Sequence, residues 1–141
     1  MPEPDLLDPI RRAWWALERH DVPGVLACMT ADVEFRPALA AAVEGAPVLL
    51  GHQAVGDYLE TLLDTYEVWS GHIEQSFVHH QTLLVKVSLE VRTRASALGM
   101  SQYWGQVCDV HDGLVTRMFN TVEIEDAVAE FARIVCGERE R

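Results

Sequence analysis

The sequence has three cysteines, Cys28, Cys108 and Cys136. They stand far apart, form no C-x-x-C spacing and are odd in number, which excludes a disulfide framework and a zinc knuckle. That usage fits a reducing, cytoplasmic setting. Basic residues are also scarce: eleven Lys and Arg face twenty-two Asp and Glu, for a formal net charge of −11. Such a surface repels a phosphate backbone, so nucleic acid is excluded as a partner. The acids are spread along the chain rather than gathered, which points to solubility and not to a cationic ligand. No stretch approaches the ~18 uninterrupted apolar residues of a membrane span. Residues 1–9 lack the basic n-region and apolar h-region of a secretory signal. No P-loop, dinucleotide fingerprint or Ser-His-Asp order is present. Among the six histidines, His79 and His80 are neighbours and would leave a strand on opposite faces, and no His or acid pair has ligand spacing. Neither a metal nor a cofactor is expected.

What is present is a globular composition, 49% hydrophobic and 23% charged. A length of 141 residues suits one domain, 1–141, able to bury roughly 70% of its unfolded surface. Leu6, Leu7, Ile10, Trp14 and Leu17 recur at helical spacing to about His20, with Asp8 and Pro9 opening the helix. Asp21 reads as the cap of a second short helix, with Pro23 in its first turn. The segment 30–32 ends that helix and leads into a strand over 33–36, stopped by Pro37. Residues 38–50 form an irregular, Ala-rich loop that should cover something apolar. After Gly51 a helix of about fifteen residues presents Val55, Leu59, Leu62, Leu63 and Tyr66 on one face.

From Trp69 the period changes to two. A turn at His79-His80-Gln81 separates this strand from the cleanest one, with Leu83, Val85, Val87, Leu89 and Val91 on one side and Lys86, Ser88, Glu90 and Arg92 on the other. A reversal over 95–100 follows. Two long alternating stretches, 102–110 and 114–124, then meet at Asp112-Gly113, the strongest hairpin signal in the chain. A C-terminal helix carries Ile124, Val128, Phe131 and Val135 on one stripe, with Gly137 as its stop and a charged tail after it. Helices first and a meander afterwards predict an α+β fold. In it a strongly curved, mostly antiparallel sheet has the N-terminal helices over its concave face, and a C-terminal helix completes the chain. That arrangement encloses a pocket.

The run Arg11-Arg12-Ala13-Trp14-Trp15-Ala16-Leu17-Glu18-Arg19-His20-Asp21-Val22, then Ala31-Asp32-Val33-Glu34-Phe35-Arg36-Pro37, then Gly51 opening a helix, then Asp112-Gly113-Leu114-Val115, resembles the SnoaL-like branch of the nuclear transport factor two-like (cystatin-like α+β) superfamily. The resemblance covers nearly the whole chain. It implies a cone-shaped α+β barrel, commonly a homodimer through the outer sheet face, with a ligand pocket inside the cone. The superfamily hosts isomerases, cyclases, epoxide hydrolases, dehydratases and members with no chemistry, so sites must decide the function. Where ketosteroid isomerase relatives carry a tyrosine on helix one and an acid beside a proline, this sequence has Ala13 and Arg36, with no second acid around residues 104–106. Where polyketide cyclase relatives carry an Asp after an aromatic residue, it has Phe119-Asn120, and an amide cannot act as a general base. The epoxide hydrolase pattern of Asp-Arg-Asp is not evident beside Glu34 and Arg36.

Glu34 and Arg36 lie two apart on a strand and leave on one face, which the resemblance places toward the cone interior. There Arg36 could hold an oxyanion while Glu34 handles a proton; the same two residues also read as a purely structural ion pair. Gln106 and Asn120 interrupt largely apolar strands, and as buried amides they serve either a ligand or each other. Phe119 and Asn120 cannot both face inward. Trp14, Tyr58, Trp69 and Trp104 suit an aromatic pocket, and equally an ordinary core. Trp15 is expected at a subunit contact or against the 38–50 loop. The expected function is binding of a small hydrophobic organic molecule, with cofactor-free acid-base chemistry of the isomerase, cyclase or hydratase type through Glu34 and Arg36. The alternative is a non-catalytic ligand-binding or dimerisation domain.

Overall fold

The computed structural model describes residues 5–38, 48–95 and 99–139, of which 138 and 139 only in their backbone. The start of the chain, the core of the expected 38–50 loop, the middle of the 95–100 reversal and the last two residues lie outside it. The elements are α1 (Asp8–Glu18), α2 (Val22–Leu26), β1 (Met29–Arg36), β2 (Leu49–Leu50), α3 (Gly51–Thr65), β3 (Tyr66–His79), β4 (Thr82–Thr93), β5 (Gly99–His111), β6 (Leu114–Thr121) and α4 (Ile124–Arg139). The six strands form one curved sheet in the order β2-β1-β6-β5-β4-β3. Every pair is antiparallel except β1 with β6, which run parallel.

Local chemistry accounts for most boundaries. Asp21 caps α2 by accepting from the Gly24 N–H at 3.0 Å, which satisfies an orphan donor at the helix start. The β5–β6 turn holds Asp112 at φ 52° and Gly113 at φ 77°, the two left-handed positions of a type I′ hairpin. Gly51, at φ 85°, makes the left-handed step from β2 into α3, a conformation that only glycine takes without steric cost.

The concave face carries the core. Leu83, Val85, Val87 and Leu89 of β4 are fully buried and pack with Ile10, Trp14 and Leu17 of α1, Val25 of α2 and Val55 and Leu59 of α3 in one cluster. The opposite face is covered in part by α4. A Cβ on Gly105 would stand 2.5 Å from the Ala127 Cβ, so the missing side chain is what allows α4 to approach β5. No helix among the described residues is long and apolar enough to cross a membrane.

Four sequence expectations are corrected. Strand β1 begins at Met29, so residues 30–32 belong to the strand; its register against β6 shifts between Met29 and Glu34, and this irregularity hides the strand's first half from an alternation pattern. Leu49 and Leu50 pair with Phe35 and Glu34 as a short edge strand. Helix α4 runs through Gly137 to Arg139 instead of stopping at the glycine. On α4 the fully buried residue is Ala127, while Val128 is exposed, because close approach to Gly105 rewards a small side chain over a branched one.

Candidate functional site

Curvature leaves a hollow between the sheet and the helices. It has about 490 Å³ of atom-free space including its mouth, of which about 50 Å³ can be reached by the centre of a water molecule. It is therefore narrow, with room for a few waters or a thin, flat group. Trp14 reaches it from α1, Phe35 from β1, Tyr58 from α3, Trp69 from β3, Trp104 and Gln106 from β5, and Asn120 from β6. The rings contact one another in pairs: Trp69 and Trp104 meet edge to face at 5.4 Å, and Phe35 and Tyr58 are tilted at 5.8 Å. These arrangements suit the quadrupoles of aromatic rings.

The polar atoms follow one directed chain. The Trp14 Nε1–H donates to Gln106 Oε1 at 3.0 Å, Gln106 Nε2 donates to Asn120 Oδ1 at 2.7 Å, and Asn120 Nδ2 donates to the Arg36 carbonyl at 3.1 Å. Gln106 and Asn120 sit directly opposite one another in the β5–β6 register. An indole can only donate and a carbonyl can only accept, so the two ends of the chain fix both amide orientations. Gln106 Nε2 also lies 3.5 Å from the Met118 sulfur. The amides thus satisfy each other and the backbone, and their polarity is largely spent.

One polar group is left over. The Trp104 indole Nε1 is buried and has no hydrogen-bond partner. Tyr58 is the one lining residue with a titratable hydroxyl among those described, and burial pushes its pKa up to about 12. It stays an O–H at neutral pH and can donate as well as accept. No Asp, Glu, His, Lys or Arg side chain lines the hollow among the described residues. Nor do any three His, Cys, Asp or Glu side chains there come close enough to hold a metal ion.

Glu34 and Arg36 are not in the hollow, which corrects the expectation that they face inward. Val33 and Phe35 take the buried side of β1, and the strand's period of two sends Glu34 and Arg36 to the other face. There Glu34 pairs with Arg117 at 3.1 Å. Arg117 also reaches Glu130 of α4 at 3.3 Å, and the Arg36 guanidinium lies 5.2 Å from the Phe119 ring centroid. The Glu34 and Arg36 side chains therefore belong to the outer sheet face, where Arg117 links Glu34 to Glu130 of α4, and only the Arg36 backbone carbonyl joins the interior chain of hydrogen bonds. Phe119 faces outward and Asn120 inward, which settles the choice within that pair.

Trp14, Tyr58, Trp69, Trp104, Gln106 and Asn120 do come together around the hollow. Sequence reasoning missed Phe35 and Met118 as lining residues; the signal for Phe35 was the apolar alternation of Val33 and Phe35. Ala13 also lines the space and brings no hydroxyl to it. Trp15 is 63% exposed, with the Arg19 guanidinium 4.5 Å above its ring.

The SnoaL-like domain profile matches residues 10–118. No curated protein matches the sequence. Among solved structures, TerC co-crystallised with polyporic acid is 19% identical, with 89% of this chain and 95% of that one covered at a TM-score of 0.71. The Mycobacterium tuberculosis protein RV0760c in complex with estradiol-17beta-hemisuccinate is 18% identical, with 85% and 95% covered at 0.70. An NTF2-like protein of unknown function from Burkholderia pseudomallei is 15% identical, with 90% and 97% covered at 0.72. At these identities the likeness establishes a shared fold and no shared activity.

Proposed function

We propose that this chain, which belongs to the SnoaL-like domain family, binds a small, largely hydrophobic organic molecule in the hollow of its concave face. The observation that carries the reading is the wall itself: three tryptophans and a tyrosine on four different elements converge on one space that the core leaves unfilled. TerC and RV0760c, similar in fold, are seen with polyporic acid and with estradiol-17beta-hemisuccinate, which supports an organic ligand of the ring-bearing kind here. Trp14, Tyr58, Trp69 and Trp104 would supply the contact surface. Gln106 and Asn120 would hold the wall in shape and offer the ligand little.

Binding without acid-base catalysis by the chain is favoured over isomerase, cyclase or hydratase chemistry. A general base needs a group that titrates near the working pH and stands within hydrogen-bond reach of the reacting proton. Among the described lining residues there is no carboxylate or imidazole, and Glu34 and Arg36 are on the far side of the sheet. Titration with indane, followed by isothermal calorimetry, tests the reading. Ala13→Trp, which puts an indole into the hollow, should abolish binding, while Glu34→Gln combined with Arg36→Met should leave it unchanged within a factor of two. Loss of binding in the charge-pair variant with retention in Ala13→Trp would place the site on the outer face instead.

The chain would act as a homodimer in the cytoplasm, where its unpaired cysteines are stable. Helix α4 leaves Phe77 and Tyr103 exposed on the outer face, and these would form the contact. A monomeric mass in sedimentation equilibrium at micromolar concentration would refute the dimer.

A further inference from the structure

The geometry points to an uncharged ligand that carries an acceptor oxygen, a carbonyl above all, and that presents this oxygen to the Trp104 indole N–H. The inference rests on the binding reading above and adds the ligand's polarity to it. It starts from an imbalance in the polar inventory of the hollow. Gln106 and Asn120 spend their oxygens and nitrogens on Trp14, on each other and on the Arg36 carbonyl, so reorienting either amide toward a ligand would orphan another buried group. Trp104 is 4% exposed, and its Nε1 is the one buried side-chain polar atom without a partner among the described residues. Native structures leave few such groups, and a buried one signals a missing water or ligand.

Less than 1 Å² of this nitrogen is exposed, so an acceptor of any kind reaches it only when the side chains that bound the hollow move. A ligand with a fused ring system is larger than the space that a water's centre can reach and would move them. The indole ring is a donor and never an acceptor, so the matching ligand atom is an oxygen or nitrogen lone pair. Tyr58, which lines the hollow from α3, carries a second neutral donor. A neutral ligand is favoured by the lining: no cationic or anionic side chain borders the space among the described residues, and beside those residues a carboxylate or ammonium would be unpaired in a low-dielectric site.

The test compares three probes of one shape, indane, 1-indanone and indane-1-carboxylate, by titration of the ¹⁵N-labelled protein. The indole cross-peak of Trp104 is identified by its absence in Trp104→Phe, or by side-chain correlation in the parent protein if that variant does not fold. The ketone should bind about fivefold tighter than the hydrocarbon, the advantage of one net hydrogen bond. It should move the Trp104 indole proton downfield, and Trp104→Phe should erase the advantage. The carboxylate should not bind. Equal affinity for ketone and hydrocarbon with an unmoved indole peak would overturn the inference and leave the hydrophobic site standing; the N–H would then be satisfied by the Trp69 ring face. Carboxylate binding as tight as the ketone's would overturn the preference for a neutral ligand. Failure of all three probes would overturn the binding reading and this inference with it.

Discussion

The indole N–H of Trp14 on α1 donates to the side-chain oxygen of Gln106 on β5 at 3.0 Å, across 92 residues of chain. The bond does more than join a helix to a sheet. It determines which way the Gln106 amide points, hence which way the Asn120 amide points, and so how much polarity the hollow can offer a guest. Gln106 is 2% exposed, so water cannot substitute for any partner in the chain.

Removing the middle of that chain should be costly. Gln106→Leu keeps the size of the side chain but orphans the Trp14 N–H and the Asn120 oxygen, and should lower the unfolding free energy by about 2 to 4 kcal/mol. Urea denaturation should show a lower midpoint with an unchanged slope. A midpoint equal to that of the parent would mean that the chain of hydrogen bonds contributes nothing to stability.

Gly71 should be as sensitive, for a steric reason. A Cβ there would stand 2.5 Å from Trp14 Cε3, so Gly71→Ala must push the indole off the sheet and away from Gln106. Overpacking of this kind costs about 1 to 3 kcal/mol. The variant should also show an altered tryptophan emission maximum and weaker indane binding, while Gly137→Ala, with open space around it, should show neither.

The alkaline limb of the stability curve should report Tyr58. Burial raises its pKa from 10.0 to about 12, so the unfolded chain ionises first. The contribution is fully present below about pH 10 and is lost as pH rises through the folded pKa, by about 3 kcal/mol in all. Urea midpoints at pH 9 and pH 11.5 should therefore fall more steeply for the parent than for Tyr58→Phe. Parallel curves would show that the hydroxyl is as well solvated as in the unfolded chain.

Much of the fold was legible because patterning and turn chemistry agreed. The alternation of Leu83, Val85, Val87, Leu89 and Val91 gave the buried face of β4, and Asp112-Gly113 gave the hairpin in register. The orientation of β1 was legible too, since Val33 and Phe35 are apolar where Glu34 and Arg36 are charged; the family resemblance pointed the other way, and the local period of two prevails. In β6 the same rule misleads. Phe119 faces outward and Asn120 inward, because Arg36 packs on the Phe119 ring and a buried amide opposite provides for Asn120. Neither partner is near in sequence, so no window along the chain reveals them. The unpartnered Trp104 nitrogen was equally hidden, since a tryptophan in a strand says nothing about where its N–H points.

A crystal structure of the protein grown with saturating 1-indanone would locate the ligand directly. Electron density for the ring system is expected among Trp14, Tyr58, Trp69 and Trp104, with its oxygen within hydrogen-bond distance of Trp104 Nε1. A hollow filled by the chain's own side chains, or a ligand bound only on the outer face beside Glu34 and Arg36, would contradict that expectation.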